Sequence, residues 1–305
     1  MIQNYFNVSF DMDNIDVLYD AYNIGHEDFD RTLMYRTAVR RMIDMLDGMG
    51  IKATFFLVGK CCEHPINVSV IKEIVQNGHE IGNHSYSHKE NYDISDEEIV
   101  LEIEKADTLI KETIGVKPVG YRAPGYQITK KGIEVLELYG YKYDASVMPT
   151  VFMASIWFIL FLKTFKRRNR PLARRFYHLF NSSGPFRIAG TNFVEIPCPH
   201  IGRILPYYPT FHFAFPFLER FTTTRVINLP FLTLEGHALD FLDVEEDGLP
   251  RELSEFHPGM KMSWQEKVKY YEKIIKRLMN THIPVTLTQY VDENLNHLLE
   301  KKIFI

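Results

Sequence analysis

The chain has 305 residues, 46% of them hydrophobic and 24% charged, which is ordinary for a globular protein and long enough for one large α/β domain or two small ones. Its formal net charge of −4 argues against nucleic acid as a general partner, because phosphate binding needs a basic face. The three cysteines, Cys61, Cys62 and Cys198, cannot form a framework of several disulfides, so they favour a reducing compartment.

Short β-rich runs alternate with segments of helical period along most of the chain. Strands are predicted at residues 5–10, 53–58, 80–84, 141–147, 193–197, 231–234 and 284–287, and helices at 32–46, 95–114 and 263–279. Ser95 and Ser263, each followed three residues later by Glu, are capping-box signals, and Gly50, Gly78, Gly115 and Gly140 stand at expected helix ends. The alternation predicts a mainly parallel sheet, open or closed into a barrel, with functional residues at the carboxyl ends of the strands.

The first polar cluster ends the first predicted strand. Side chains two residues apart in an extended segment point to the same side, so Asp11 and Asp13 are expected to project together. Taken alone, two acids after a strand are more often loop formers or helix caps.

The second cluster, around His84 and His88, follows the short strand at 80–84. Two histidines four apart share a face if the segment turns helically, and both imidazoles then reach one ion. Two neutral imidazoles and one carboxylate suit zinc and similar divalent metals, with positions left open for water and substrate. Two exposed polar residues are the alternative interpretation.

Two later residues complete the pattern. Arg122, in a turn after a β-like run, is placed to hold a carboxylate through paired hydrogen bonds, and His237 ends a late strand. Each is ordinary by itself, whereas four polar clusters in this order, each at a strand end, point to a catalytic site.

The motifs resemble those of the polysaccharide deacetylase (NodB-homology) family. Residues 78–88 are similar to the second motif of that family, residues 53–56 to its second strand, and residues 121–125 to its third motif. The similarity is dense from about Val8 to Val147 and resumes near Leu229. It implies an α/β fold that is a distorted, incomplete (β/α) barrel, in agreement with the alternation of strands and helices.

The resemblance also implies roles for individual residues. Asp13, His84 and His88 correspond to the metal ligands, with zinc as the expected ion, Asp11 to the catalytic base, Arg122 to the residue that orients the base, and His237 to the general acid. Met12 separates the aspartates, as in a subgroup that includes enzymes acting on non-polymeric amides. The fourth motif, an Asp with a nearby Trp, is not clearly matched, and Asp144 is its nearest candidate.

Residues 148–230 are interpreted as an insertion within a single catalytic domain that spans 1–305. The insertion is expected to contain an apolar helix at 151–162, a basic run at 163–175 with seven Lys or Arg and no acid, and a segment rich in aromatics and prolines at 207–218. An apolar run of 12 residues is too short to cross a bilayer, so it either packs on the barrel or lies in a membrane surface through 151–175.

The sequence therefore predicts a metal-dependent hydrolase that removes an N-acyl group, expected to be N-acetyl, from a sugar such as an intracellular or lipid-linked glycan intermediate. Two alternatives remain open, namely hydrolysis of a small non-sugar amide, as in allantoinase- or deformylase-like relatives, and a non-catalytic membrane-associated binding protein. Residues 1–10 lack the pattern of a signal peptide, so a cytoplasmic protein is expected, either free or peripheral on the inner face of the membrane.

Overall fold

The structure is a computed structural model that describes residues 3–22, 30–152 and 177–305. Within these ranges the strands are β1 (Tyr5–Met12), β2 (Thr54–Leu57), β3 (Glu80–Asn83), β4 (Gly120–Tyr121), β5 (Tyr143–Asp144), β6 (Phe186–Ile188), β7 (Val194–Glu195), β8 (His200–Ile201), β9 (Leu205–Pro206), β10 (Phe231–His237), β11 (Ile283–Pro284) and β12 (Glu300–Lys301). The α-helices are α1 (Ile15–Tyr22), α2 (Arg40–Gly48), α3 (Pro65–Gln76), α4 (Asp96–Ile114), α5 (Lys130–Leu138), α6 (Pro209–Ala214), α7 (Glu219–Val226), α8 (Leu253–Phe256), α9 (Trp264–Met279) and α10 (Leu287–Asn294). A π-helical segment covers Met34–Val39, and 3-10 turns cover Gly59–Glu63, Pro124–Tyr126, His178–Phe180, Pro216–Leu218, Ala238–Phe241, Pro258–Lys261 and Leu295–His297.

Ten of these strands form one sheet, in the order β10-β1-β2-β3-β4-β5-β7-β6-β12, with β11 paired to the start of β1. The pairings from β10 to β7 are parallel, and β6 turns back antiparallel to β7. The carboxyl ends of β10, β1, β3 and β4 therefore meet at one edge. This arrangement confirms the expected incomplete barrel of the NodB deacetylase type.

Both faces of β1 are buried, and the alternation of its side chains separates an apolar face from a polar one. Phe6, Val8 and Phe10 belong to the main hydrophobic cluster under the helices. On the opposite face, Asn7 donates to the backbone carbonyl of Val285 at 2.9 Å in the barrel interior. The polar face continues along the strand to its carboxyl end, so Asp11 emerges into a polar interior and not into the core.

Several predicted elements are confirmed and two need correction. The capping boxes at Ser95 and Ser263 are present, and the four glycines predicted at helix ends all have positive φ. The strand predicted at 284–287 ends at Pro284, because Thr286 caps α10 by accepting from the backbone N–H of Gln289. The helix predicted at 32–46 begins as a π-helix over Met34–Val39 and becomes α-helical only from Arg40.

The range 148–230, interpreted as an insertion, contains β6 and β7, so the main sheet runs through it. The apolar helix at 151–162 and the basic run at 163–175 lie almost wholly within 153–176, outside the described residues. Across the ranges that the structure does describe, no helix has both the length and the apolarity needed to cross a membrane. Cys61, Cys62 and Cys198 are free and buried.

Candidate functional site

Three side chains with metal-ligating atoms converge at the carboxyl edge of the sheet. Oδ1 of Asp13 lies 3.2 Å from Nε2 of His84 and 3.1 Å from Nε2 of His88. One ligand atom from each of the three lies within 4.8 Å of the others, and residues 3–22, 30–152 and 177–305 hold no other such group. Asp13 follows β1 and His84 follows β3, so the parallel register through β2 brings them together.

The loop from His84 to His88 is not helical, which corrects the expectation of a helical turn. Ser85 and His88 have positive φ values of 64° and 59°. This conformation is unfavourable for residues other than glycine and persists only when neighbouring groups stabilise it. Asn83 accepts from the backbone N–H of Ser85 at 2.8 Å, and the hydroxyl of Ser85 accepts from the backbone N–H of His88 at 3.0 Å. These local bonds, and not helical spacing, direct both imidazoles toward Asp13.

Asp11 and Arg122 form a buried ion pair beside this cluster. Nη1 of Arg122 donates to Oδ1 of Asp11 at 2.7 Å, and the two side chains are 0% and 4% exposed. The rest of the guanidinium donates to the hydroxyl of Ser9 and to the carbonyl of Ala145, each at 3.0 Å. The guanidinium is thus divided among three acceptors and does not make the expected paired bonds to one carboxylate.

The ring of His84 is oriented by the backbone of Arg122, whose carbonyl accepts from Nδ1 at 2.6 Å. Since a carbonyl only accepts, Nδ1 carries the proton and Nε2 of the neutral ring turns its lone pair toward Asp13. Burial alone would lower the pKa of His84, but the carboxylates of Asp11 and Asp13 raise it above its ordinary value.

Within the described chain Oδ1 of Asp13 is buried and receives no hydrogen bond. Converging acceptors of this kind fit a divalent cation.

His237 reaches the same edge from β10, on the other side of β1. The strand register pairs Asp11 with His237, and Nε2 of His237 lies 4.0 Å from Oδ2 of Asp11. Oδ2 lies at the same distance, 4.0 Å, from Nε2 of His84. The His237 side chain is 29% exposed, against 2% for His84, so it is the more accessible of the two imidazoles beside Asp11.

Glu235 is a buried carboxylate behind the Arg122 guanidinium that sequence reasoning missed. Its Oε1 lies 3.5 Å from Nη2 of Arg122, and its Oε2 accepts from the thiol of Cys198 at 3.0 Å and from the hydroxyl of Tyr126 at 3.3 Å. Burial raises the pKa of Glu235, although Arg122 counteracts that rise. The sequence did contain a signal for Glu235. It stands two residues before His237, so the two side chains point to the same face of β10.

Asp144, whose role the sequence left open, lies at the end of β5 opposite Glu195 of β7. The two carboxyl groups are fully buried, so neither can be solvated when it is charged. Burial raises the pKa of Asp144 to about 6 and that of Glu195 well above its usual range. Ser146 donates to Asp144 at 2.6 Å. Through this bond Asp144 supports the loop that contains Ala145, whose carbonyl accepts from the guanidinium of Arg122.

Glu102 on α4 is a second carboxylate that the sequence did not single out. It accepts from both the backbone N–H and the hydroxyl of Ser87, each at 2.7 Å, and so anchors the loop immediately before His88. No local motif marks it, because the bond joins residues that are 15 positions apart.

A cavity of about 290 Å³ lies beside the metal-binding candidates. Asn14 and Ser87, the sequence neighbours of Asp13 and His88, form part of its wall. The remaining polar lining includes carboxylates at Asp16 and Glu63 and cations at Arg31 and Lys60. The cavity therefore offers both hydrogen-bond donors and acceptors to a polar ligand.

Residues 28–143 match the family model described as polysaccharide deacetylase. Among curated proteins, the chain is 33% identical over 119 residues to the peptidoglycan deacetylase of Helicobacter pylori (37% of this chain, 38% of that protein). It is 32% identical over 94 residues to the peptidoglycan-N-acetylglucosamine deacetylase of Bacillus cereus (31% and 34%). It is also 36% identical over 115 residues to a peptidoglycan deacetylase-like protein of Gibberella zeae (37% and 33%). The chain spans about a third of the length of these curated relatives.

Two solved structures share the fold. A provisionally assigned polysaccharide deacetylase from Mycobacterium smegmatis superposes with a TM-score of 0.64 at 17% identity, covering 98% of this chain and 94% of that one. A CE4 family pseudoenzyme from Bacillus anthracis superposes with a TM-score of 0.50 at 14% identity, covering 95% and 66%. At these identities the similarity concerns the fold alone.

Proposed function

We propose that this chain, which belongs to the polysaccharide deacetylase family, hydrolyses an N-acyl group on a sugar and releases a free amine and a carboxylate. The observation that carries the proposal is the convergence of Asp13, His84 and His88, with Asp11 between this cluster and His237. Acetyl is the proposed acyl group, in keeping with the N-acetylglucosamine named in one relative.

Each protein group in this proposal has one defined task. Oδ1 of Asp11 is held by Arg122, which leaves Oδ2 as the atom that takes a proton from the attacking water. His237 delivers a proton through Nε2 to the departing nitrogen, because without that proton the nitrogen would have to leave as a strongly basic amide anion. The water oxygen forms the new bond to the acyl carbon while the bond from that carbon to the nitrogen breaks. The proton that Asp11 takes from the water offsets the one that His237 gives to the amine. Burial of the ion pair keeps Asp11 oriented throughout.

Asp13, His84 and His88 are the residues that would hold the metal, and zinc is the ion we propose from two imidazoles and one carboxylate. When bound, a divalent metal supplies positive charge that polarises an acyl carbonyl and eases deprotonation of a water. The carbonyl of Arg122 fixes the tautomer of His84 that such binding requires.

The substrate we propose is an N-acetylated sugar in an intracellular or lipid-linked glycan intermediate, acted on at the cytoplasmic side. The cavity beside the cluster supports a polar ligand, because its lining offers both donors and acceptors. A small non-sugar amide is the second candidate. It is favoured by Met12, which separates Asp11 from Asp13, a spacing that resembles a subgroup that includes enzymes acting on non-polymeric amides.

The test is a panel assay on protein stripped of metal with a chelator and then reloaded with zinc. The panel contains N-acetylglucosamine oligomers, peptidoglycan fragments, a lipid-linked N-acetyl sugar and a small ureide or formamide, and the readouts are free amine and free acid. Asp11→Asn is the matched control, because it keeps the shape of the side chain and removes the proposed base.

We expect amine release from at least one N-acetyl sugar, dependent on zinc and absent in Asp11→Asn. Turnover of the small amide alone would favour the second candidate. Release of no amine from any compound by the zinc-loaded wild-type protein would contradict both and favour a binding protein on this fold.

A further inference from the structure

Large apolar side chains and arginines share one exposed surface next to the β8–β9 hairpin and α7. We call it the aromatic–basic face, and it consists of Val151, Ile204, Phe217, Arg220, Phe221 and Arg225. Phe217 is 78% exposed, Ile204 61% and Phe221 47%. Large exposed apolar patches on a protein surface often mark sites of interaction with a partner or a membrane.

Backbone and ring contacts link the segments that carry the aromatic–basic face. The backbone N–H of Phe152 donates to the carbonyl of Ile204 at 3.3 Å, which joins the segment after β5 to the hairpin. The ring of Phe152 lies 6.0 Å from that of Phe215, which lies 6.3 Å from that of Phe217. On α7 the guanidinium of Arg225 lies over the ring of Phe221, at 5.3 Å.

The charge of this part of the chain differs from that of the rest. The described residues 145–152 and 177–234 contain four arginines and two acids, Glu195 and Glu219, within a protein of net charge −4. Both acids are buried, and Glu219 is paired with Lys273 and Arg277. Within the described part of this stretch, the acids therefore place no carboxylate at the surface to offset the arginines.

The aromatic–basic face lies on chain that leaves the same edge of the sheet as the candidate site. The segment that reaches it starts at Asp144, the last residue of β5, and its first carbonyl, that of Ala145, accepts from Arg122. The hairpin follows β7, and Cys198 in the connection contacts Glu235. The chain segments that carry the aromatic–basic face therefore connect directly to residues around the candidate site.

We propose that the aromatic–basic face binds the surface of an anionic lipid bilayer. Exposed aromatic and aliphatic side chains enter the interfacial region, and the arginines meet lipid headgroups of opposite charge. The inference goes beyond the proposed deacylation and does not depend on it. A bilayer is the expected partner because exposed apolar side chains and positive charge occur on the same face. An acidic soluble partner would require the positive charge but not Phe217, whose side chain is 78% exposed.

The experiment is flotation of the full chain with phosphatidylcholine vesicles, with and without phosphatidylglycerol, at low and high salt. We expect binding to the anionic vesicles at low salt and a marked loss at high salt, because salt screens exposed charges. The double variant Phe217→Ser/Phe221→Ser should lower the vesicle-bound to free ratio by about tenfold. Arg220→Gln/Arg225→Gln should weaken binding to anionic vesicles only.

A matched control replaces exposed leucines elsewhere. Leu101 on α4 and Leu138 on α5 are 62% and 83% exposed, and Leu101→Ser/Leu138→Ser should bind like wild type. Circular dichroism checks that every variant is folded. Failure of the wild-type protein to float with anionic vesicles at low salt would overturn the proposal, as would wild-type binding by Phe217→Ser/Phe221→Ser. Flotation needs no substrate, so either result leaves the proposed deacylation untouched.

Discussion

Arg122 donates to Oδ1 of Asp11 at 2.7 Å inside the protein, where neither side chain is more than 4% exposed. The same arginine accepts from Nδ1 of His84 through its backbone carbonyl. One residue therefore orients the proposed base with its side chain and a proposed metal ligand with its main chain. These two functions are separable by mutation, because a substitution changes the guanidinium and retains the carbonyl.

Arg122→Lys should reduce kcat while metal binding is largely retained. A single ammonium keeps the charge but cannot reach Asp11, Ser9 and Ala145 together, as the planar guanidinium does. We expect kcat to fall about a hundredfold and the free energy of unfolding to fall by about 2 kcal/mol. Steady-state kinetics, metal analysis and urea unfolding measure the three quantities. Loss of metal in proportion to activity would show that the main-chain bond to His84 does not survive.

The two aspartates should respond differently to the same isosteric change. Asp11→Asn should lower kcat by about 10²–10⁴-fold with zinc content near that of wild type, because it removes a proton acceptor. Asp13→Asn should mainly lower zinc affinity, because it removes a charged ligand. Isothermal titration with zinc, paired with kinetics at saturating metal, separates these effects. If Asp11→Asn loses zinc as strongly as Asp13→Asn, then Asp11 is a ligand and not the base.

His237→Asn should damage amide hydrolysis far more than ester hydrolysis. Protonation of the leaving group is essential for an amine but not for a nitrophenolate, so the loss should be about 10²–10³-fold for an N-acetyl sugar. For 4-nitrophenyl acetate we expect only a few-fold loss. Comparison of kcat/KM for the two substrates is the measurement. An equal loss with both would remove His237 from the role of acid.

The carboxyl pair of Asp144 and Glu195 should make stability depend on pH. Burial raises the pKa of Asp144 from 3.8 to about 6, so between these values the folded protein binds more protons than the unfolded chain. The free energy of unfolding contributed by this group is therefore fully present below about pH 4 and is lost as the pH rises through about 6.

Asp144→Asn should remove part of this dependence, because a buried amide of the same shape does not ionise at any pH. The Tm of the variant relative to wild type should rise between pH 4 and pH 7, as measured by thermal unfolding of metal-free protein. Asp292→Asn, at a carboxylate whose side chain is 50% exposed, is the control and should show no such trend. A constant difference in Tm for Asp144→Asn would contradict the raised pKa of Asp144.

The sequence by itself determined the features that depend on local spacing. Alternation along β1 predicted that Asp11 and Asp13 would emerge together, and the capping boxes located the starts of α4 and α9. The rhythm of strands and helices predicted the parallel sheet, which in turn placed the polar clusters at one edge. These features are encoded by residues a few positions apart, so a single segment carries enough information.

The tertiary structure alone decided the features that depend on register between distant segments. Glu235 meets Arg122 only because β10 pairs with β1, and Asp144 meets Glu195 only because β7 lies beside β5. The division of the Arg122 guanidinium among three acceptors follows from the same packing. The turn at Ser85 combines local bonds with a distant one, because the backbone N–H of Gly59 donates to the carbonyl of Ser85 at 2.9 Å. Such contacts join residues dozens of positions apart, so only the folded chain brings them together.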